Sequence, residues 1–419
     1  MIEKFKEIQD SEHKVKFLSG FFVVGIFLAI SYYGAPLFLV QDYKAVLTNT
    51  SEEKSDGDPV WRATHIDTPA SVKGIYMTSW VAGTPSIRQG IIDLIEETEL
   101  NSIIIDIKDD TGKISFKPDN PDLLALESYE ERIPDLKELI ESLHKKNIYV
   151  IGRVAVFQDP FMTKARPELA VQKNDGSVWK DRKGLSFIDV GAKDHWDYII
   201  MIAKDAYNQG FDEINFDYIR FPSDGQMTDI YFPFSEDVIV ADPINGKAKQ
   251  VKNFFAYLDR SLSDTGMVTS ADLFGMTTTN TDDLNIGQIL EYAMPYFDYI
   301  APMVYPSHYP KGFYGYQDVN AVPYEIIKIS MGKAVERVNA FKTETASTTP
   351  NASFLPRLRP NQMRPWLQDN DYPVHYTPEM VRAQIQATYD VGLNSWMLWD
   401  AANTYTRAAL EKVPLTNQE

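Results

Sequence analysis

The sequence has no cysteine among its 419 residues, and histidine is scarce, with only six. The absence of cysteine excludes disulfides, a thiol nucleophile and zinc sites built on thiolates. The histidines stand at positions 13, 65, 144, 195, 308 and 375, and no two have the spacing of a zinc-binding pair. We therefore expect neither a metal nor any other cofactor.

Positive charge is also in short supply. Lysine and arginine number 41 against 59 aspartates and glutamates, which gives a net charge of −18. A chain this acidic is not expected to bind nucleic acid, because phosphate backbones bind surfaces with clustered positive charge. Aromatic residues, in contrast, make up 12% of the chain. They suit flat apolar ligand faces such as sugar rings, although an aromatic-rich core explains the composition equally well.

Residues 17–40 form a run without a charged side chain, and four lysines precede it in residues 1–16. The run is long enough to span a bilayer and longer than the apolar core of a cleaved signal peptide. We expect a cytoplasmic tail (1–16), a transmembrane anchor (17–40) and a linker (41–70), with a cleaved signal peptide as the alternative. The lysines predict that the rest of the chain lies outside the cell, so the membrane is an expected partner.

A regular alternation of strand and helix patterns fills residues 71–412 and is typical of a parallel α/β domain. We predict strands at residues 73–79, 102–108, 148–156, 211–222, 268–275, 299–305, 364–369 and 394–400. Eight strands with intervening helices predict a (β/α)8 TIM barrel, preceded by one transmembrane helix. An open doubly wound sheet is the alternative, but no glycine-rich phosphate loop follows the first strand.

The fourth predicted strand carries an acid. Asp217 lies within the apolar and aromatic stretch 211–222, near the end that in α/β barrels holds the chemistry. Arg220, three residues later, could keep this carboxylate ionised. A purely structural ion pair of Asp217 with Arg220 is the alternative, because buried acids are usually paired.

Other polar and aromatic residues also fall at or after predicted strand ends. If the register is right, nine of these residues lie together at the carboxyl-end opening of the barrel: Asp109, Asp217, Asp272, Asp369, Asp400, Tyr305, His308, Trp366 and Trp399. An acid in such a position is often only a helix cap, an alternative that applies above all to Asp109 and Asp400. Trp179 stands in the long loop 157–190 and is expected to be exposed. Paired carboxylates among aromatic platforms are what cleavage of a glycosidic bond requires.

Four ordered blocks carry a more specific likeness. Residues 211–225, 303–309, 364–369 and 396–403 resemble the signature blocks of a bacterial glycosyl hydrolase family of uncharacterised function. That family is in turn similar to the alpha-amylase-like TIM barrels. The resemblance covers about residues 72–411 and implies a barrel with glycosidase chemistry.

Asp217 lies at the end of the fourth strand, and the resemblance implies that an aspartate there is the nucleophile. Asp272, in the fifth strand, stands where the general acid belongs. Asp369 would be the third acid. The acid after strand five is normally a glutamate in the alpha-amylase-like barrels, so Asp109 or Asp224 could serve in place of Asp272.

The sequence thus predicts a glycoside hydrolase acting on a cell-surface or extracellular polysaccharide. Asp217 would be the nucleophile or ion-pair stabiliser, Asp272 the general acid/base, and Asp369 a clamp on sugar hydroxyls. The other expected substrate contacts are Asp109, Trp179, Arg220, Tyr305, His308, Trp366, Trp399 and Asp400. A non-catalytic glycan-binding barrel is one alternative. A metal-dependent polysaccharide deacetylase is the other, disfavoured by the scattered histidines.

Overall fold

The computed structural model describes residues 61–413. Eight parallel strands, each paired with its neighbours along the chain, close into a barrel when β8 pairs with β1. The strands are β1 (Lys73–Met77), β2 (Ser102–Lys108), β3 (Tyr149–Ala155), β4 (Glu213–Asp217), β5 (Val268–Phe274), β6 (Tyr299–Met303), β7 (Trp366–Gln368) and β8 (Trp396–Trp399).

Helices and short helical turns connect the strands. The α-helices are α1 (Ser79–Ala82), α2 (Pro85–Glu97), α3 (Pro121–Ala125), α4 (Leu136–Lys145), α5 (Pro160–Ala165), α6 (Lys193–Asn208), α7 (Glu236–Ala241), α8 (Gly246–Leu262), α9 (Leu290–Ala293), α10 (Pro323–Thr348) and α11 (Pro378–Asp390). Their starts follow local chemistry. Thr377, for example, caps α11 by accepting a hydrogen bond from the Met380 N–H, and Pro378 occupies the first turn.

Alternation along the strands separates two apolar layers. In β2, Ile103, Ile105 and Ile107 belong to the large core between barrel and helices. Ile104 belongs instead to a smaller cluster with Tyr76, Ile151 and other residues of neighbouring strands. Successive side chains of a strand point to opposite faces, so this second cluster fills the barrel interior.

The amino ends of the strands are closed by a buried ion pair. Arg364 Nη1 donates to Glu213 Oε1 at 2.8 Å, and both side chains are fully buried. The Arg364 guanidinium also lies 3.9 Å from the centre of the Tyr299 ring. These fully buried side chains fill the barrel interior at the amino ends of the strands.

Residues 61–70, predicted as the end of a linker, contact the barrel. Ile66 N donates to Asp212 Oδ1 at 2.9 Å, and the Thr68 and Tyr149 hydroxyls lie 2.9 Å apart. The ordered part of the domain therefore starts before β1.

The predicted combination of a barrel with a preceding transmembrane helix requires correction. Within residues 61–413, no helix is both long and apolar enough to cross a membrane. The segment expected to be the anchor, residues 17–40, lies outside the described residues. The fold is therefore reported as the closed eight-stranded barrel, and the location outside the cell stays a prediction.

Several strands are shorter than their patterns predict. β4 was expected over residues 211–222 but ends at Asp217, because Tyr218 adopts a positive φ of 53°. A tyrosine rarely takes this left-handed conformation, and it turns the chain out of the sheet directly after the acid. The turn leaves Asp217 at the very end of its strand.

The buried pair at the amino ends generates a stability prediction. Arg364→Met should lower the free energy of unfolding by about 3–5 kcal/mol, because it leaves Glu213 buried without its counter-ion. Urea denaturation measures this loss. The double variant Arg364→Met/Glu213→Gln should recover most of the lost free energy of unfolding. Lys333→Met is the control, because it breaks an exposed pair with Glu336, and it should leave stability unchanged. Equal losses in the single and double variants would contradict the prediction.

Candidate active site

A cleft of about 280 Å³ opens at the carboxyl ends of the strands. This is close to the lower end of the usual range for ligand pockets, roughly 300–1,000 Å³. Its lining residues are Arg153, Asp217, Tyr218, Arg220, Asp272, Phe274, Met303, Tyr305, His308, Trp366, Asn370 and Trp399. Two carboxyl groups, aromatic walls and a few polar side chains thus share one concave surface.

Asp217 is held at the end of β4 by two sets of donors. Its Oδ1 accepts a hydrogen bond from the Tyr218 N–H at 2.6 Å. Its Oδ2 accepts from Arg153 Nε at 3.1 Å and from Nη2 of the same guanidinium. The carboxylate is therefore fixed in orientation and paired with a buried positive charge.

Asp272 lies beside Asp217 on the next strand. Phe216 of β4 pairs with Ala271 of β5, so the two acids, each one residue further on, are side by side. Asp272 Oδ1 accepts from Asn215 Nδ2 at 2.9 Å and from Trp366 Nε1 at 2.8 Å. Its Oδ2 lies 3.9 Å from Arg153 Nε.

The two acids have different electrostatic surroundings. Burial raises the pKa of Asp272 well above its usual value, and the nearby charge of Asp217 raises it further. Arg153 and the two N–H donors act in the opposite direction without cancelling the rise. Asp272 thus keeps its proton to a higher pH than an exposed aspartic acid. Because Oδ1 already accepts two hydrogen bonds, the proton belongs on Oδ2.

Arg153 connects the acids to a third carboxyl group. It lies in β3 and donates to Asp106 Oδ1 of β2 at 2.7 Å. Tyr76 of β1 donates its hydroxyl proton to Asp106 Oδ2. Neither Arg153, Asp106 nor Tyr76 was predicted from the sequence. A charged residue inside an otherwise apolar strand was the available signal for the first two.

Aromatic rings form the cleft wall on the side of β6 to β8. Trp399 stacks on Tyr76 with ring centres 4.2 Å apart, and Trp366 meets Trp399 nearly at a right angle, 5.7 Å away. Tyr305 and His308 follow β6, with ring centres 5.3 Å apart. Burial and the charge of Asp272 raise the pKa of Tyr305, so it stays a neutral phenol.

Arg220 lines the cleft but does not hold Asp217. Its Nη1 donates to Ser223 Oγ at 3.0 Å, within its own loop. The guanidinium therefore has donors left for a ligand. The expectation that Arg220 keeps Asp217 ionised is corrected, because Arg153 occupies that position.

Trp179 lies outside the cleft and is only 1% exposed. Its indole Nε1 donates to the Gln226 carbonyl oxygen at 3.1 Å, and Gly225 packs against the ring so closely that a Cβ there would lie 2.7 Å from it. The expected exposed platform is instead a core residue that ties the long loops after β3 and β4 together.

The remaining three predicted acids also lie outside the cleft lining. Asp109 forms an ion pair with Arg132, and Asp400 caps a turn by accepting from the N–H groups of Ala402 and Thr404. Asp369 is buried and accepts from the Thr406 N–H at 3.0 Å. Burial raises the pKa of Asp369 to about 6. These contacts account for Asp109 and Asp400, whereas Asp369 Oδ1 is buried without a hydrogen-bond partner among the described residues. Asn370 reaches the cleft from the β7 loop.

No group of three or more His, Cys, Asp or Glu side chains within residues 61–413 is arranged to hold a metal ion.

A sequence model of the family described as "Putative glycosyl hydrolase domain" matches residues 74–405. The chain belongs to this family. The match includes all strands except the first residue of β1, so the cleft is part of the glycosyl hydrolase domain.

Solved structures resemble the glycosyl hydrolase domain to different extents. A hypothetical protein from Ruminiclostridium thermocellum is 34% identical, with 47% of this chain and 96% of that chain covered and a TM-score of 0.42. The glycoside hydrolase domain of PgaB (BpsB) from Bordetella bronchiseptica is 14% identical, covering 79% and 94%, with a TM-score of 0.55. Alpha-L-fucosidase isoenzyme 2 from Paenibacillus thiaminolyticus is 13% identical, covering 81% and 48%, with a TM-score of 0.51. The last two likenesses show the fold. No curated protein matches the chain.

The raised pKa of Asp272 predicts a pH-dependent gain in stability for Asp272→Asn. Between the pKa of the unfolded chain and the higher pKa of the folded one, the folded protein binds the extra proton, so wild-type stability falls as pH rises. Asparagine resembles the protonated acid and removes this loss. The Tm of the variant relative to wild type should therefore be higher at pH 8 than at pH 4, by roughly a few degrees.

Asp390→Asn provides the control, measured by the same thermal unfolding. Asp390 is exposed, and the hydrogen bond from the Tyr324 hydroxyl lowers its pKa. Its substitution should give a smaller effect of opposite sign. A Tm difference for Asp272→Asn that does not change between pH 4 and pH 8 would show that folding does not raise the pKa of Asp272.

Proposed function

We propose that this domain is a glycoside hydrolase that cleaves glycosidic bonds in a polysaccharide. The observation that carries the proposal is the contrast between two neighbouring acids in one cleft. Asp217 is paired with Arg153, whereas burial favours the protonated form of Asp272. Glycoside hydrolysis requires one carboxylate and one carboxylic acid on opposite sides of the scissile bond. Family membership supports the same class of reaction.

In the proposed reaction, Asp272 donates its Oδ2 proton to the leaving glycosidic oxygen. Asp217 attacks the anomeric carbon or stabilises its positive charge, and water completes the hydrolysis. Both acids approach Arg153 Nε, at 3.1 Å for Asp217 Oδ2 and 3.9 Å for Asp272 Oδ2. These two oxygens are thus less than about 7 Å apart, which excludes most of the inverting range of 6.5–9.5 Å and favours retention.

The cleft walls support a neutral sugar as the ligand. Trp399 presents apolar ring surface, whereas Trp366 is only 1% exposed and donates to Asp272. Arg220, His308 and Asn370 offer polar groups to sugar hydroxyls. Burial lowers the pKa of His308, so this ring is neutral at physiological pH. Asn370 lines the cleft, whereas Asp369, the predicted clamp on sugar hydroxyls, does not.

Asp217→Asn should reduce turnover by on the order of a thousandfold or more, because the nucleophile or charge stabiliser is lost while the side chain keeps its size. The measurement is release of reducing ends from a panel of soluble polysaccharides, with folding checked by circular dichroism. Asp212→Asn is the matched control. It makes the same change just before the opposite end of β4, where Asp212 contacts His144 and Val150, and should retain turnover.

Wild-type turnover by Asp217→Asn on a polysaccharide that the protein hydrolyses would contradict the assignment. Binding of a polysaccharide without any release of reducing ends would instead support a non-catalytic glycan-binding barrel.

A further inference from the structure

The most exposed aromatic side chains all lie at the cleft end of the barrel. Among residues 61–413, the five most exposed Trp, Tyr and Phe side chains each follow the carboxyl end of a strand: Trp80 after β1, Tyr231 and Phe234 after β4, Tyr314 after β6 and Tyr372 after β7. Single exposed apolar residues are ordinary, but their concentration on one face of a protein indicates a binding surface.

Trp80 is built as a rigid platform. Its ring is 59% exposed, and the Arg132 guanidinium lies 4.6 Å from the ring centre. Arg132 is itself almost fully buried and paired with Asp109 and Glu130. One face of the indole is therefore fixed by a cation–π contact, which leaves the other face for a ligand.

Trp80 follows a residue of the cleft wall closely along the chain. It lies four residues after Tyr76, the residue on which Trp399 stacks. The Thr78 N–H between them donates to Asn403 Oδ1 at 3.0 Å, which fixes the β1 loop to the loop after β8. The loop that carries Trp80 is therefore held against the loop that follows Trp399 of the cleft wall.

Tyr372 and Tyr314 lie in the loops after β7 and β6, which also supply the cleft residues Asn370 and Tyr305. Tyr372 is 62% exposed, and its carbonyl oxygen accepts from Gln368 Nε2 at 2.6 Å, two residues beyond the cleft residue Asn370. Tyr314 is 56% exposed and follows Tyr305 in the β6 loop. Its φ of 47° is unfavourable for a bulky residue, and such conformations are retained chiefly at functional positions.

We infer that Trp80, Tyr314 and Tyr372, here called the aromatic rim, bind sugar units that flank those in the cleft. The inference rests on the proposed hydrolase function and adds the form of its substrate. A cleft of about 280 Å³ encloses only a short segment of glycan, whereas the rim continues across the loops of β6, β7 and β1. Such a surface fits the interior of a long neutral polysaccharide, which makes the enzyme endo-acting.

The test compares wild type with the double variant Trp80→Ala/Tyr372→Ala. Both are assayed by affinity electrophoresis in gels containing soluble starch, laminarin, hydroxyethyl cellulose or glycol chitin, and by reducing-end release from the same polymers. At least one polymer should retard wild type, and the double variant should lose the retardation. Its KM for that polymer should rise by about tenfold, as expected when stacking contacts are removed. The variant Trp80→Tyr/Tyr372→Ala, which keeps an aromatic ring at position 80, should show part of the retardation that the double alanine variant has lost.

Tyr257→Ala is the control, because Tyr257 lies on α8 and contacts Asp197 of α6 away from the cleft. It should behave as wild type. Polymer hydrolysis with the same KM in wild type and double variant would overturn the inference but leave the hydrolase proposal standing. Retardation that depends on the rim without release of reducing ends would keep the rim as a glycan-binding surface but would overturn the hydrolase proposal and, with it, the endo-acting form of the inference.

Two further outcomes would overturn the inference. One is the absence of retardation of wild type by all four polymers. The other is a wild-type dimer in sedimentation velocity that the double variant does not form, which would assign the rim to a second copy of the chain.

Discussion

The site depends on one buried guanidinium. Arg153 stands inside the barrel with hydrogen bonds to Asp106 and Asp217 and with Asp272 at 3.9 Å. Three ionised carboxylates could not lie so close together without a positive counter-charge, because each would repel the others. All three are also buried from solvent, which would otherwise screen the repulsion. Arg153 pairs with Asp106 and Asp217, while burial and the charge of Asp217 raise the pKa of Asp272. Burial also raises the pKa of Asp106. The division of labour between Asp217 and Asp272 is therefore a consequence of charge balance around one side chain.

The barrel supplies the rigidity that this balance needs. Apolar residues such as Ile104 and Ile151 fill the interior, and the Glu213–Arg364 pair closes the amino ends. Every member of the Arg153 network lies in or directly after a strand, so its position is set by strand register. The loops that carry Trp80 and Tyr372 follow strand ends and lie outside this centre.

The sequence predicts the barrel well because each strand and helix has its own local pattern. The end positions of Asp217 and Asp272 follow from those patterns too. Arg153 was missed because it meets Asp217 through pairing of β3 with β4, across 64 positions of sequence, whereas Arg220 was favoured by mere proximity along the chain. Trp179 was misjudged for a related reason, because loops that pack against each other bury residues that look exposed in isolation.

The central claim is that the Asp272 carboxyl retains its proton at a pH where ordinary aspartates are ionised. The most direct test is infrared difference spectroscopy of wild type against Asp272→Asn over a pH series, which needs no knowledge of the substrate. We predict a carbonyl band of a protonated carboxyl group that is present in wild type, absent in the variant, and retained to a higher pH than the band of exposed aspartic acids. An Asp272-dependent band that is lost in the same pH range as that of exposed aspartic acids, or no such band at any pH, would contradict the account.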